Sequence, residues 1–393
     1  MSDAGSAYLG SRPRVRAMRS QQIREVADAA MGMADVLAFW FGESHLPTPE
    51  SIRQAAAAAL AKGATFYTPN LGLPELRGDI ASYLSRLHPR QHRPIPAARI
   101  AVTGSGLSAL MITLQALIEP GDSVVAVTPV WPNLCEIPKI LAANVISVPL
   151  RFGAQGWRLD LEQMLGAIKP GVTAVVINSP NNPTGWTLSR AEQQSILARC
   201  REVGAWLIAD DVYERLYFQG PSAPSFLDIV EPEDRFVGCN SFSKAWRMTG
   251  WRVGWAVLPE ALVPAFAKLT EYNTSCVPGF VQAAARVALN QCEADVSYLV
   301  AQVKSNQQQL YDRLATASRV ELGAPPPGGM YAFFRIRGLT DSLAFCKHLV
   351  EKARVGLAPG SSFGDEGGEF VRWCIATDPK KLEAGLDRFL SHL

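Results

Sequence analysis

Short apolar, β-branched runs recur through the middle of the chain at residues 123–127, 174–178, 205–210 and 235–240, each bounded by turn residues. Between them lie longer stretches with helical periodicity, among them 106–118 and 189–203. Runs apolar on both sides need cover on both faces, and strands joined through helices must run mainly parallel. An α/β fold follows, with a mainly parallel sheet flanked by helices. After about Pro278 the pattern changes to long helices and then to apolar runs at 329–335 and 369–375. The change predicts a large unit over 46–283 and a smaller α+β unit formed by 1–45 together with 284–393.

In a parallel sheet ligands bind at the carboxyl ends of the strands. Asn178 and Asp210 each close a run, and Lys244 follows a third by a few residues. The lysine lies in Ser241-Phe-Ser-Lys-Ala-Trp-Arg-Met-Thr-Gly-Trp-Arg252. Its amine can condense with a carbonyl, while the hydroxyls of Ser241 and Ser243 and the Arg252 guanidinium can grip a dianion. Asp210, with Tyr213 three residues on, can keep a ring nitrogen protonated, although an acid at a strand end also caps a following helix. Asn178-Ser-Pro-Asn-Asn-Pro-Thr-Gly185 is stiffened by two prolines, which suits a loop presenting the Asn182 amide to a planar ligand.

Val102-Thr-Gly-Ser-Gly-Leu-Ser-Ala109 fits two kinds of site. Its Gly104-x-Gly106-x-x-Ala109 spacing matches a dinucleotide fingerprint, as in a nicotinamide-dependent oxidoreductase. That site needs an acid after the next strand, where this chain has Val127-Thr-Pro-Val-Trp131; Asp122 precedes the strand instead. What remains is a helix N-terminus whose amides at Ser105, Gly106 and Leu107 can bind an anion.

Taken in order, these motifs resemble the class I/II aminotransferases among the fold-type I enzymes dependent on pyridoxal 5'-phosphate (PLP), the aspartate aminotransferase superfamily. Lys244, Ser241, Ser243 and Arg252 match the family's Ser-x-Ser-Lys with its downstream arginine. Asn182-Pro-Thr-Gly185 matches Asn-Pro-x-Gly, and Asp210 to Tyr213 matches Asp-Glu-x-Tyr with Asp211 in the second place. The similarity runs from about Pro13 to Leu390 and implies an enzyme moving an amino group between an L-amino acid and a 2-oxo acid.

It further implies that Lys244 forms a Schiff base with PLP and carries the proton, and that Asp210 pairs with the ring nitrogen. Asn182 and Tyr213 would address the ring's phenolic oxygen, and Trp131 would stack on the ring. Ser105, Gly106, Leu107, Ser241, Ser243 and Arg252 would hold the phosphate. Arg372 would bind the substrate α-carboxylate, although Trp373-Cys374 departs from the family's Arg-x-Ser-x-Ala. Gly42 lies in a Gly-Glu-Ser turn that resembles the family's Gly-Glu-Pro beside the substrate. Tyr67 would reach the phosphate of a neighbouring subunit, which implies a homodimer with shared active sites. Leu107 stands where one branch has a lysine for a distal carboxylate, so a neutral or aromatic substrate is expected, walled by Trp40, Phe41 and Trp131.

With 38 Lys and Arg against 36 Asp and Glu, the chain has no global field for nucleic acid or an anionic membrane. Seven cysteines lack a C-x-x-C pair and five histidines lie far apart, so no metal site is expected. No run nears the roughly 20 apolar residues of a membrane span, and the N-terminus lacks an apolar signal-peptide core; the basic stretch 11–19 fits a transit peptide, but Asp3 and the lack of a clear cleavage region count against it, so a cytoplasmic enzyme is expected. A lyase or decarboxylase on the same fold would share the cofactor contacts. A PLP-binding transcription regulator would need a DNA-binding module, and about forty residues before Gly42 leave no room for one.

Overall fold

All four expected central strands form, and three more join them. In chain order they are β1 (Ile100–Thr103), β2 (Ser123–Thr128), β3 (Asn144–Pro149), β4 (Val172–Asn178), β5 (Trp206–Asp210), β6 (Phe236–Ser241) and β7 (Gly254–Val257). The computed structural model describes residues 10, 12–18, 20–89 and 94–393; Asp3, Ser11, Arg19 and His92 lie outside the described residues. The strands make one seven-stranded sheet, β1-β7-β6-β5-β4-β2-β3. Pairings from β6 through β3 are parallel, and only β7 runs antiparallel to its neighbours.

Side-chain alternation explains the continuous apolar runs. Val175, Ile177, Leu207 and Ala209 enter one core, while Ala174, Val176, Ile208 and Val237 enter another on the opposite face. Two of the helices on these faces are started by side-chain caps. α3 (Gly106–Leu117) begins after Ser105, whose hydroxyl accepts from the Ser108 amide at 3.0 Å. α4 (Arg190–Val203) begins with a capping box between Ser189 and Glu192. Before them in the chain lie α1 (Gln22–Ala29) and α2 (Pro74–Leu87).

A second sheet is wholly antiparallel, in the order β8-β9-β11-β10. Its strands are β8 (Val320–Glu321), β9 (Tyr331–Ile336), β10 (Ala358–Pro359) and β11 (Phe370–Cys374). The run expected at 329–335 starts two residues later because Gly329, at φ +87°, still belongs to the preceding turn. Helices α5 (Glu293–Leu314), α6 (Ser342–Ala353) and α7 (Pro379–Leu390) pack Leu310, Leu349 and Phe389 into a core with Phe39, Phe334 and Trp373. β11 is an interior strand, so Arg372 at its centre is buried rather than on a solvated edge. Among the described residues no helix is long and apolar enough to cross a membrane.

Candidate active site

Every site residue singled out from the sequence except Tyr67 lines one cavity of about 420 Å³. The topology brings them there. Asn178 and Asp210 are register partners at the ends of β4 and β5, and β6 ends beside them at Ser241. The start of β7 lies between the ends of β1 and β6, where Gly254 pairs with both Thr103 and Ser241. A Cβ on Gly254 would sit 2.5 Å from the Gly106 amide and 2.6 Å from the Asn240 carbonyl, so only glycine lets the head of α3 close on the turn after β6.

This junction has the donors for a phosphate. The first-turn amides of α3 have no acceptor within their own helix, and the helix dipole adds partial positive charge. Ser241 Oγ donates to Ser243 Oγ at 2.8 Å, which places both hydroxyls in one turn. Arg252, exposed and in the left-handed region at φ 56°, donates to the Thr249 carbonyl at 2.7 Å. No carboxylate pairs with it among the described residues.

At the cavity floor Asp210 is 3 % exposed. Burial pushes its carboxyl up to about 7, against a bond from the Val212 amide and the positive charge of Lys244, which both pull it down. The Asn178 amide donates to the Asp210 carbonyl at 2.9 Å, and Asn178 Oδ1 accepts from the Asn182 amide at 2.7 Å, tying the proline-stiffened loop to β5. Asn182 therefore faces the cavity at a set position. Its Nδ2 reaches the Tyr213 hydroxyl at 3.4 Å and its Oδ1 accepts from Arg372 Nη1 at 3.0 Å.

Lys244 donates to the Gly42 carbonyl, and its Nζ lies 5.8 Å from the Tyr213 ring centroid. Burial lowers its amine to about 8; of the two arginines that push the same way, Arg372 acts more strongly than Arg252. Arg372 reaches the amine from β11, which is distant from Lys244 in the chain. Gly42 has its own reason to be glycine: a Cβ there would lie 1.8 Å from the Tyr331 hydroxyl oxygen.

Arg372 is 2 % exposed, with its guanidinium carbon 4.3 Å from the Tyr331 ring centroid and 4.8 Å from that of Phe363. Nη2 donates to the Trp40 carbonyl, while Nε has no partner. A buried cation between aromatic faces, lacking a carboxylate among the described residues, is a site for an incoming anion. Sequence reasoning missed Tyr331, whose hydroxyl lies 2.7 Å from that of Tyr213. A tyrosine in an apolar strand run has no mark that separates it from a core aromatic. Arg24 was missed as well; it stands at the cavity on α1 with its guanidinium carbon 5.7 Å from the Phe41 ring centroid.

Tyr67 is not brought to this cavity. It is 91 % exposed, next to Phe66 at 84 %. Asp211 also turns away from the cavity, toward Ser225 Oγ at 3.3 Å.

A lysine of lowered basicity, a buried acid, a phosphate-type cradle and a carboxylate-type arginine in one cleft define an enzyme that handles an amino acid on an aldehyde cofactor. Comparison with known proteins agrees. The family profile for aminotransferases of class I and II matches residues 35–389. Aspartate aminotransferase from Thermotoga maritima is 36% identical over 90% of each chain. Valine–pyruvate aminotransferase from Mycobacterium tuberculosis is 35% identical over 90% of this chain and 89% of its own. The crystal structure of the Thermotoga maritima aspartate aminotransferase superposes with a TM-score of 0.89 at 32% identity, covering 97% of this chain and 99% of that one.

The chain belongs to the class I and II aminotransferases. It is a transaminase, working on small amino and 2-oxo acids, in a family that in general depends on PLP. The aminotransferase relatives leave the lyase and decarboxylase alternatives without support.

Proposed function

We propose that this chain binds PLP in the cavity and that Lys244 is both its covalent anchor and the proton carrier of transamination. Ser105, Gly106, Leu107, Ser241, Ser243 and Arg252 would hold the phosphate, Trp131 the ring face, Asp210 the ring nitrogen, and Asn182 with Tyr213 the phenolic oxygen. When bound, the cofactor supplies an electron sink for the pair left as a substrate Cα–H bond breaks. The carrying observation is the meeting of Lys244, Asp210 and a buried Arg372 with no carboxylate partner among the described residues.

Arg372 and Asn182, already bonded to each other, would receive the substrate α-carboxylate beside the Gly42 turn. Fixing that end orients the Cα–H bond toward Lys244. With its basicity near 8, roughly one Lys244 amine in ten is neutral at pH 7 and able to take the proton at Nζ. Tyr331 holds the Tyr213 hydroxyl and floors the arginine, so it supports both ends of the site.

The side-chain end is walled by Leu107, Leu110, Trp40, Phe41, Ile23 and Trp131. These surfaces favour a neutral or aromatic substrate. One observation favours a second reading: Arg24, without a carboxylate partner among the described residues, is a cation placed for an acidic side chain. The two separate in one experiment. PLP is added to the purified protein, and bleaching of the visible band is followed with leucine, phenylalanine and aspartate. The first two are expected to react with the higher kcat/KM. Preference for aspartate would transfer the specificity to Arg24, and a protein that stays colourless with PLP sinks the whole assignment.

We further propose a homodimer in which Tyr67 serves the neighbouring site, a reading supported by the exposed Phe66–Tyr67 pair lying outside its own cavity. Sedimentation should give twice the chain mass; a monomer at micromolar concentration overturns the shared site. The division into 46–283 and 1–45 with 284–393 is supported by separate cores under the two sheets. A cytoplasmic location is supported by seven unpaired cysteines.

A further inference from the structure

Behind the cavity, three acids lie within five residues, Asp210, Asp211 and Glu214, each buried. Glu214 is 2 % exposed, and a carboxylate so placed needs a cation. His88 supplies one. It caps the end of α2, far from this segment in sequence, and is 1 % exposed. Its Nε2 lies 3.0 Å from Glu214 Oε2 and its Nδ1 3.5 Å from Asp228 Oδ1, while Arg190 holds the other Asp228 oxygen.

Glu214 points onward to the cradle. Its Oε1 accepts from Asn240 Nδ2 at 2.7 Å, and Asn240 Oδ1 accepts from the Ser241 amide at 2.7 Å. The carboxylate thus decides which way the Asn240 amide faces, since only its NH₂ end can donate to Glu214. The Ser241 hydroxyl in turn accepts from the Ser243 amide at 3.1 Å. Asn240 also backs the junction through its main chain, because its carbonyl is one of the atoms that crowd the Gly254 position.

We propose that His88 is a positioning residue for the phosphate end of the site, acting through Glu214 and Asn240 on the turn that carries Ser241 and Ser243. Burial pulls the imidazole down, but the bonds it donates to Asp228 and Glu214 outweigh it and hold His88 up at about 10, so it is a cation throughout the neutral range. Without that charge Glu214 is a buried carboxylate lacking its partner, and it relaxes away from Asn240. That change releases the Ser241 amide. His88 touches no reacting atom; its effect is on how well a dianion is held.

The inference rests on assigning Ser241 and Ser243 to the phosphate, so the experiment compares PLP with pyridoxal, which lacks that group. Binding of each to cofactor-free protein is titrated by visible absorbance for the parent, His88→Gln and Asn240→Ala, with circular dichroism as the check on folding. The parent is expected to prefer PLP. Both variants are expected to lose about tenfold in PLP affinity, the usual order for a residue that orients a ligand-holding group, with pyridoxal affinity unchanged. The double variant should lose no more than either single one, because both cut the same chain of contacts. A parent without the preference overturns the phosphate assignment and the relay together. A parent with it, and a folded His88→Gln that keeps it or loses both ligands alike, overturns the relay alone. If His88→Gln does not fold, Asn240→Ala decides: an unchanged preference there removes the last link to the cradle and overturns the proposal.

Discussion

Lys244→Ala is expected to abolish transamination, with turnover falling by roughly 10⁴-fold or more, since one change removes both the proposed covalent anchor and the proposed general base. Its Nζ is the amine seated between the Gly42 carbonyl and the Tyr213 ring, on the cavity side of the turn after β6. Among the described residues no other lysine lines this cavity, so none stands ready to replace it. Borohydride reduction of the PLP-treated parent should label the Lys244 peptide, and the variant should take up no label there. Folding should survive, because the side chain lines the cavity and forms no ion pair among the described residues. A folded variant with turnover within tenfold of the parent would remove Lys244 from the mechanism.

Asp210→Asn is the second large effect. With Asp210 facing the cofactor ring nitrogen as proposed, the change removes one partner of a buried charge pair, which costs about 2–5 kcal/mol and corresponds to a loss of roughly 30- to 5,000-fold in kcat/KM. The same substitution should act oppositely on the cofactor-free protein. Burial raises the Asp210 carboxyl from 3.8 to about 7, so between those values the folded state holds a proton that the unfolded chain has given up. Stability from this group therefore falls as pH rises from about 4 through 7. Asparagine carries no such penalty. Thermal melts of cofactor-free protein at pH 5 and pH 8 should show the variant gaining on the parent at the higher pH, while its PLP affinity is lower at both. Parallel pH slopes in the two proteins would mean that Asp210 is not the strained acid.

The difference in legibility between these residues and their supports has a physical cause. Asp210, Asn182 and Lys244 lie where runs of alternating, two-sided burial stop, and in a parallel sheet all such stops fall on one edge. The Ser105 cap and the small residues after it mark a helix start that any anion can use. Arg372 was legible as a motif, but its depth was not. An interior strand of the second sheet takes it under Tyr331 and Phe363, and a short antiparallel strand looks much the same in sequence at an edge as in the middle. His88 read as one of five scattered histidines, because its partners are 126 and 140 residues further along the chain.

From sequence alone came the kind of sheet, the edge that carries the cavity, and the side chains on it with the chemistry to bind an anion and a carbonyl, because these follow from local periodicity and from side-chain chemistry. Only the tertiary structure decided how the charges are balanced. The lowered basicity of Lys244, the raised carboxyl of Asp210 and the unpartnered Nε of Arg372 all depend on burial and on groups from distant elements. Packing between the β7 start and the head of α3, and between Gly42 and Tyr331, sets distances that no local pattern encodes. Electrostatics falls with distance and with solvent access, and both are properties of the folded chain.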